Sequence, residues 1–277
     1  MSSCALIWRL SKIKLRAKLS IYCANLSKFV DKNIYHSDMV TKLSVNINKI
    51  ATIRNARGGN MPSVVEAAKN CELFGADGIT VHPRPDERHI TTQDTLDLAK
   101  VVTTEFNIEG YPDERFMELL RICKPAQATL VPDPPNVLTS NAGWDTKKQA
   151  GFLSDILAEI KSLGIRTSLF IETNLDLIEG ASLLKTDRIE FYTGPYAEGF
   201  ETDRDRAIAP YIRAAEKALE LGLAINAGHD LNLKNLKFFK LSLPALAEVS
   251  IGHALISDAL YLGLENTINM YKRELNQ

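Results

Sequence analysis

The sequence lacks the features that mark membrane proteins, disulfide-rich secreted proteins and general nucleic-acid binders. Its 277 residues include no apolar run of the roughly 18 to 20 residues that a membrane-spanning helix needs. Its 4 cysteines form no CxxC pair and no metal-like spacing, which favours inert thiols in a reducing compartment such as the cytoplasm. With a formal net charge of -1, the chain has no broad basic field to collect nucleic acid or an anionic membrane. Any anionic ligand must therefore be bound locally.

The first 38 residues differ in composition from the rest of the chain, because basic residues are frequent there and acidic residues are few. This composition is typical of a targeting peptide. It is equally expected if the true start of the protein is Met39. Under both interpretations residues 1–38 are an extension without a catalytic role, and residues 39–277 are one catalytic domain.

From residue 43 onward, short β-branched or apolar segments alternate with longer segments of helical period. This alternation is typical of repeated βα units and a parallel sheet. Gly75, Gly164 and Gly222 follow three of the helical segments and fit helix C-caps. The eight predicted strands are 43–47, 78–82, 106–109, 126–131, 167–172, 188–192, 223–227 and 248–252.

Eight parallel strands with intervening helices can close into a (β/α)₈ barrel, which removes the exposed edges of an open sheet. The alternative is an open, doubly wound sheet, which would place a glycine-rich dinucleotide fingerprint after the first strand. This chain has Asn46, Asn48 and Lys49 at that point instead. We therefore predict an α/β fold of the TIM-barrel type over residues 39–277, with extra short helices or loop insertions at 132–144 and 194–200.

Reactive and polar side chains follow the predicted strands at the same end of each βα unit. In a (β/α)₈ barrel that end is the catalytic face, where side chains from different strands converge on one pocket. A single histidine at such a position is about as often a hydrogen-bonded loop or core residue. The inference therefore rests on the whole set. Its members are Asn46, Asn48, His82, Arg84, His89, Glu109, Thr139, Glu172, Glu190, Thr193, Asn226, His229 and His253.

Two glycine-containing turns suggest phosphate binding. Gly228 and Gly252 follow the last two strands, where many barrels bind phosphate with backbone N–H groups and a helix N-terminus. The alternative role of these glycines is a tight turn that requires a positive φ. Arg57 and Arg84 add positive charge suited to phosphate oxygens, so a second anion site is also predicted.

Two other kinds of barrel chemistry would leave signatures that this sequence lacks. A metal-dependent hydrolase of the amidohydrolase type would place a His-x-His pair on strand one, where two asparagines stand, and no HExxH occurs. A Schiff-base aldolase would place a lysine inside the barrel at a strand end, for which Lys49 is the nearest candidate. The inward candidates are instead histidine and glutamate, which favours metal-free acid/base catalysis.

Six segments of the chain are distinctive: VNINKIATIRNARG at 45–58, GADGITVHPR at 75–84, NIE at 107–109, SLFI at 168–171, NAGH at 226–229 and IGHA at 251–254. They resemble the pyridoxine 5′-phosphate synthase family of the deoxyxylulose-dependent route to vitamin B6. The resemblance implies a (β/α)₈ barrel that assembles as a homo-octamer, a tetramer of dimers, and needs no cofactor. It also implies that 1-deoxy-D-xylulose 5-phosphate is joined to 3-amino-2-oxopropyl phosphate, which yields pyridoxine 5′-phosphate, phosphate and water.

The same resemblance implies roles for individual positions. His82 and Glu109 correspond to proton acceptors, His229 corresponds to a proton donor, and Glu190 corresponds to a residue that stabilises charged intermediates. The implied substrate contacts are Asn46, Gly252 and His253 to the amino-ketone phosphate, Arg84, His89 and Thr139 to the deoxyxylulose phosphate, and Arg57 to substrate more generally.

Three positions depart from the pattern that many members of the family share. Asn48 and Lys49 stand where an Asp-His pair is common, and Asp230 stands where glycine is common. We keep all three as predicted substrate-binding positions. Lys49 can meet a phosphate as a point charge. Asp230 would weaken phosphate binding unless its carboxylate is paired or turned away.

Two other functions fit the same fold. One is a phosphosugar isomerase or aldolase, because a barrel fold does not by itself determine chemistry. The other is a non-catalytic barrel that binds phosphate ligands, for which replacement of Glu109 or His229 would change no reaction rate. Under every alternative the expected partners are small phosphorylated molecules, and neither nucleic acid nor a membrane is expected.

Overall fold

A computed structural model describes residues 40–132 and 142–276 of the chain. Within these residues, eight parallel strands close into a barrel in sequence order, and β8 pairs with β1 to complete it. The predicted (β/α)₈ barrel is therefore confirmed. The predicted extension at 1–38 lies outside the described residues. The strands are β1 (Lys42–Asn46), β2 (Gly78–Val81), β3 (Glu105–Gly110), β4 (Gln127–Leu130), β5 (Arg166–Ile171), β6 (Arg188–Phe191), β7 (Ala224–Gly228) and β8 (Glu248–Ile251).

Helices connect the strands and pack around the outside of the barrel. None of the described helices is long and apolar enough to cross a membrane. In the described part of the chain the helices are α1 (Asn48–Arg57), α2 (Val64–Leu73), α3 (Thr92–Val101), α4 (Glu114–Cys123), α5 (Ala150–Ser162), α6 (Leu175–Leu183), α7 (Gly194–Glu220), α8 (Leu236–Ser242), α9 (His253–Leu262) and α10 (Leu264–Asn276).

Local signals place the helix ends well. Ser63 caps α2 by accepting a hydrogen bond from the backbone of Glu66. Gly75, Gly164 and Gly222 have φ values of 97°, 77° and 76°, which confirms them as the left-handed residues that follow three helices. The observed strand ends lie within one or two residues of the predicted ones. Pattern and capping chemistry are local, so they can be recognised without the fold.

The extra segment predicted at 194–200 is helical and forms the first part of α7. Proline is well tolerated in the first turn of a helix, where Pro195 lies. The backbone leaves helical geometry at Asp203, with φ −156° and ψ 85°. The Asp203 carboxylate accepts a hydrogen bond from the backbone N–H of Arg206 and so caps the second half of α7.

The hydrophobic core lies between the barrel and the surrounding helices. Side chains alternate along each strand, so every second residue points outward. On β1 and just beyond it, Leu43, Val45 and Ile47 are fully buried in this layer. Burial of these outward residues holds the helices against the sheet.

The barrel interior, in contrast, is polar. Barrels usually fill this space with branched aliphatic residues, but here Ser44, Thr80, Asn107 and Thr129 form a hydrogen-bonded chain across four strands, with distances of 2.7 to 3.3 Å. Burial of polar groups is tolerated because they are paired. Nearer the amino ends of the strands lie the ion pairs Lys42 with Glu105, Arg166 with Glu105, and Arg188 with Glu248.

Candidate active site

A cavity of about 700 Å³ opens at the carboxyl ends of the strands. It lies where the strand-end pattern predicts a site, and among the described residues the predicted site residues line it with one exception, Arg57. Its walls come from the ends of all eight strands and from the loops that follow. The predicted residues that line it are Asn46, Asn48, Lys49, His82, Arg84, His89, Glu109, Glu190, His229, Asp230, Gly252 and His253.

Three other strand-end residues do not join this cavity. Glu172 lines a neighbouring cavity of about 720 Å³ beside α7, which shares Tyr192 with the first. Thr193 is fully buried, and its hydroxyl donates to the carbonyl of Gly228. Asn226 is buried inside the barrel and accepts a hydrogen bond from Arg188. For these three residues the prediction of one common pocket is wrong, because a strand end contributes structural as well as cavity-lining positions.

Glu109 and His82 form a pair deep in the cavity. The Glu109 Oε2 atom lies 4.0 Å from His82 Nδ1, and the two side chains are only 13% and 10% exposed. Asn46 Nδ2 donates to the same carboxylate oxygen at 3.5 Å. Burial raises the pKa of Glu109 to about 7, although the nearby charge of His229 opposes that rise. Burial and the positive charge of Arg84 hold the pKa of His82 well below its usual value. At neutral pH His82 is therefore uncharged, and Glu109 can either hold or accept a proton.

Glu190 is a second buried carboxyl group in the cavity wall. It is 4% exposed, and among the described residues its Oε2 atom has no hydrogen-bond partner. Burial raises the pKa of Glu190 well above its usual value, and the neighbouring carboxylates of Glu109 and Glu248 raise it further. A carboxyl group that stays protonated at neutral pH can donate a hydrogen bond to an oxygen that gains negative charge during a reaction.

His229 follows β7 and reaches the cavity in a left-handed backbone conformation, with φ 52°. Its backbone N–H donates to the carbonyl of Ser250 at 3.2 Å, which ties the end of β7 to β8. The ring packs edge-on to Tyr192, with ring centroids 6.2 Å apart. The Nδ1 atom lies 2.8 Å from a carboxylate oxygen of Asp230. The imidazole is thus held by backbone, aromatic and carboxylate contacts.

The two glycines at the last strand ends are required for close approach and not for a positive φ. Gly252 has φ −118°, and Gly228 does not have a positive φ either. A Cβ atom on Gly228 would overlap the carbonyl of Ser250 on the adjacent strand. A Cβ atom on Gly252 would lie 3.1 Å from the Asn46 side chain. The alternative of a tight turn with positive φ is therefore wrong, and the left-handed residue is His229.

Two parts of the cavity wall suit phosphate groups. In the first, α9 begins at His253, and its N-cap residue Gly252 offers no side-chain cap, so first-turn N–H groups remain to meet an anion. In the second, Arg84 is buried close to His89. Burial and the charges of Arg84 and Lys49 lower the pKa of His89 to about 4. This second part therefore carries fixed positive charge beside neutral imidazoles.

The remaining predicted site residues have different positions. Asn48 accepts a hydrogen bond from the backbone N–H of His82 at 3.0 Å and so joins the ends of β1 and β2. Arg57 is exposed at the end of α1 and does not line the cavity. Thr139 lies outside the described residues. Asn48 thus positions the strand end that carries His82.

Sequence reasoning missed eight further residues that line the cavity, among them the polar or aromatic residues Phe170, Tyr192, Asn232 and Ser250. Period-two alternation points to three of them, since Tyr192 lies two residues after Glu190, Ser250 two before Gly252, and Phe170 two before Glu172. Phe170 and Tyr192 were passed over because a search for polar groups ignores aromatic residues. In the described part of the chain, no group of three or more His, Cys, Asp or Glu side chains is placed to hold a metal ion.

Comparison with known proteins identifies relatives across the whole barrel. The family model described as "Pyridoxal phosphate biosynthesis protein PdxJ" matches residues 43–277. A pyridoxine 5′-phosphate synthase from Parabacteroides distasonis is 60% identical over 237 residues, which cover 86% of this chain and 100% of the relative. A protein of the same name from Porphyromonas gingivalis is 59% identical over 85% of this chain and 99% of its own length.

Solved structures add support for the fold alone. A phosphoribosylanthranilate isomerase from Thermotoga maritima superposes with a TM-score of 0.54 at 12% identity, over 85% of this chain and 98% of that one. A 4-hydroxy-2-oxoglutarate aldolase superposes with a TM-score of 0.57 at 15% identity, over 86% of this chain and 95% of that one. At such low identity these barrels carry no information about the reaction. The curated relatives match at much higher identity, and both they and the family model match across the whole barrel. The chain therefore belongs to the PdxJ family of pyridoxal phosphate biosynthesis proteins.

Proposed function

We propose that this chain is a pyridoxine 5′-phosphate synthase that joins 1-deoxy-D-xylulose 5-phosphate to 3-amino-2-oxopropyl phosphate. The observation that carries the proposal is the match to this family over the entire barrel. The cavity adds independent support, because it gathers His82, Glu109, Glu190 and His229 from different strands beside two parts of its wall suited to phosphate.

Addition of an amine to a ketone, dehydration, loss of phosphate and ring closure all require proton transfers at several substrate atoms. Several acid/base groups around one cavity are therefore needed. Glu109 is the proton acceptor in this proposal, since its pKa of about 7 leaves much of it ionised near neutrality. His82, held uncharged, is the second acceptor. His229 supplies protons to departing oxygens, and Glu190 stabilises charge that develops on the intermediates.

The two phosphates of the substrates occupy separate parts of the cavity wall in this proposal. Asn46, Gly252 and His253 meet the amino-ketone phosphate at the start of α9. Arg84 and His89 meet the deoxyxylulose phosphate, and Lys49 adds positive charge there. We include Thr139 among these contacts because of the family resemblance. The proposal leaves out Arg57, which is exposed away from the cavity.

We also infer a cytoplasmic enzyme that assembles as a homo-octamer, a tetramer of dimers, and works without a redox cofactor. These features follow from the family resemblance and from the balance of the reaction, which transfers protons and phosphate but no electrons. Light scattering on the purified protein measures the assembly. A mass near that of one 30.8 kDa chain would contradict the octamer.

The activity is tested by incubating purified protein with both substrates and detecting pyridoxine 5′-phosphate and phosphate by mass spectrometry and a phosphate assay. The expected result is formation of both products only when both substrates are present. Conversion of either substrate alone would support an isomerase or aldolase instead. Binding of both substrates without any product would support a non-catalytic binder and overturn the proposal.

A further inference from the structure

Asp230 is held in an unusual relation to the preceding residue, His229. Its carboxylate Oδ2 lies 2.8 Å from the Nδ1 atom of His229. Consecutive side chains on an extended strand point to opposite sides, so neighbours do not normally meet in this way. The left-handed backbone of His229, with φ 52°, breaks that alternation and brings imidazole and carboxylate together. Such a conformation costs energy for a residue other than glycine, and the surrounding structure must maintain it.

The backbone of Asp230 is fixed by its neighbours on several sides. Its N–H donates to the Thr193 hydroxyl at 3.2 Å. Its carbonyl accepts from the side-chain amides of Asn232 and Asn235 at 3.4 and 3.3 Å. Thr193 and Asn235 are both buried. These contacts come from the protein itself and hold the aspartate in place beside the histidine.

The pairing also resolves the difficulty that a carboxylate poses beside a phosphate site. An unpaired Asp230 carboxylate at the cavity wall would repel an anionic substrate. Directed at Nδ1 of His229, 2.8 Å away, it is instead placed to accept an Nδ1–H. The hydrogen bond also selects the tautomer, so that proton exchange with the substrate takes place at Nε2. This arrangement suits the proton donor of the cavity.

We propose that Asp230 is a positioning residue for His229 and that its side chain is not a phosphate contact. It orients the imidazole, from which Nε2–H passes its proton to a departing oxygen while the Nδ1–H stays hydrogen-bonded to the carboxylate. The inference rests on the function proposed above. It goes beyond that function, since the family resemblance provides no carboxylate at this position, where glycine is common.

The test is steady-state kinetics on Asp230→Asn, Asp230→Glu, His229→Asn and the double variant. We expect Asp230→Asn to lower kcat by about 10- to 100-fold, the order found when a carboxylate that orients a metal-bound histidine is lost. KM for both substrates should stay the same or fall. Asp230→Glu, which keeps the charge, should recover part of kcat. In the His229→Asn background, Asp230→Asn should cause no further loss, because a residue that acts through His229 has nothing left to act on.

Glu198→Gln is a matched control, because Glu198 is a carboxylate of the neighbouring cavity beside α7 and does not line the active-site cavity. It should leave kcat and KM unchanged. Circular dichroism and thermal unfolding of each variant separate loss of kcat from loss of fold. A wild-type kcat in folded Asp230→Asn overturns the inference, as does a rise in KM alone or an independent loss in the double variant. Absence of product with the wild-type protein would instead overturn the proposed function.

Discussion

Glu109 and Glu190 are carboxyl groups of one cavity with different surroundings, and this difference assigns their tasks. The charge of His229, a hydrogen bond from Ser250 and the charge of Arg84 moderate the effect of burial on Glu109, and its pKa of about 7 suits proton transfer near neutrality. Glu190 has no such partner among the described residues, and neighbouring carboxylates push its pKa further up. Two carboxyl groups whose environments separate their pKa values are a common basis for distinct acid and base functions.

Removal of either proton-transfer group should impair chemistry more than binding. Because positioned acid/base groups contribute about 10²- to 10⁴-fold, Glu109→Gln and His229→Asn should each lower kcat by that order while the variants stay folded. Arg84→Ala is the contrasting variant. As a phosphate contact it should mainly raise KM for the deoxyxylulose phosphate. Initial rates over a range of both substrates measure the difference, and near-normal kcat in both acid/base variants would make the assignment untenable.

The raised pKa of Glu109 should also be visible in folding stability. The folded state holds this proton up to pH of about 7, whereas the unfolded chain releases it near the ordinary value of 4.5. Between these values the folded state binds more protons, so its stability falls as the pH rises. Above pH 7 the ionised carboxylate costs up to about 3 kcal/mol, at about 1.4 kcal/mol for each pH unit of difference.

Glu109→Gln should therefore be more stable than the wild type at pH 8, and this advantage should shrink toward pH 5. Urea unfolding followed by circular dichroism at both pH values measures it. Glu66→Gln, which removes an exposed carboxylate on α2, serves as the control for a general change of charge. An advantage that is the same at both pH values would contradict the burial of an ionisable carboxyl group.

At the scale of elements, the contact between β7 and β8 positions His229. The two strands approach so closely at Gly228 that a side chain there would overlap the Ser250 carbonyl, and the next residue donates its N–H to that same carbonyl. The glycine thus allows the main-chain contact that holds the histidine. The close contact requires that Gly228 has no side chain, whereas its backbone conformation does not require glycine.

Gly228→Ala should destabilise the protein by about 1 to 3 kcal/mol, because overpacking against backbone forces the strands to shift. It should also lower kcat through displacement of His229. Gly151→Ala is the matched control, since an added Cβ in this helical position of α5 meets no atom within 4 Å. That change should be neutral or stabilising by up to about 1 kcal/mol. Thermal unfolding compares the two variants, and equal stability of Gly228→Ala and the wild type would refute the close-approach argument.

At the scale of the molecule, the barrel separates two kinds of packing. Outward residues such as Val45 and Ile79 form the hydrophobic core with the helices. Inward residues such as Ser44 and Thr80 form hydrogen bonds across the strands. Hydrophobic packing in the outer layer therefore stabilises the fold. The polar inner layer forms the base of the cavity that Glu109 and Glu190 line.

Deletion of residues 1–38 should leave fold and activity intact, because all eight strands lie between Lys42 and Ile251. Circular dichroism and the product assay on the truncated protein measure the outcome. A protein that starts at Met39 and matches the full-length chain in both would support the view that the basic segment is separate from catalysis. An insoluble or inactive truncation would show that the segment belongs to the fold.

The sequence by itself determined the alternation of strands and helices, the helix ends at Gly75, Gly164 and Gly222, and the gathering of polar residues at one end of the strands. These depend on period, capping and turn chemistry, which act over a few residues. The sequence leaves open whether 194–200 is a short helix or a loop, because Gly194 and Pro195 are common in loops as well as in first helical turns.

Only the tertiary structure decided which strand-end residues reach the cavity. Glu172 faces a neighbouring cavity and Asn226 binds Arg188, although sequence position makes them look equivalent to Glu109 and Glu190. The pKa values of the two cavity carboxyl groups depend on burial and on charges from other strands, which no local pattern contains. The contact between His229 and Asp230 depends on a left-handed backbone that distant residues hold in place. Residues close in sequence determine the secondary structure, whereas residues close in space determine the pKa values and the burial of the site residues.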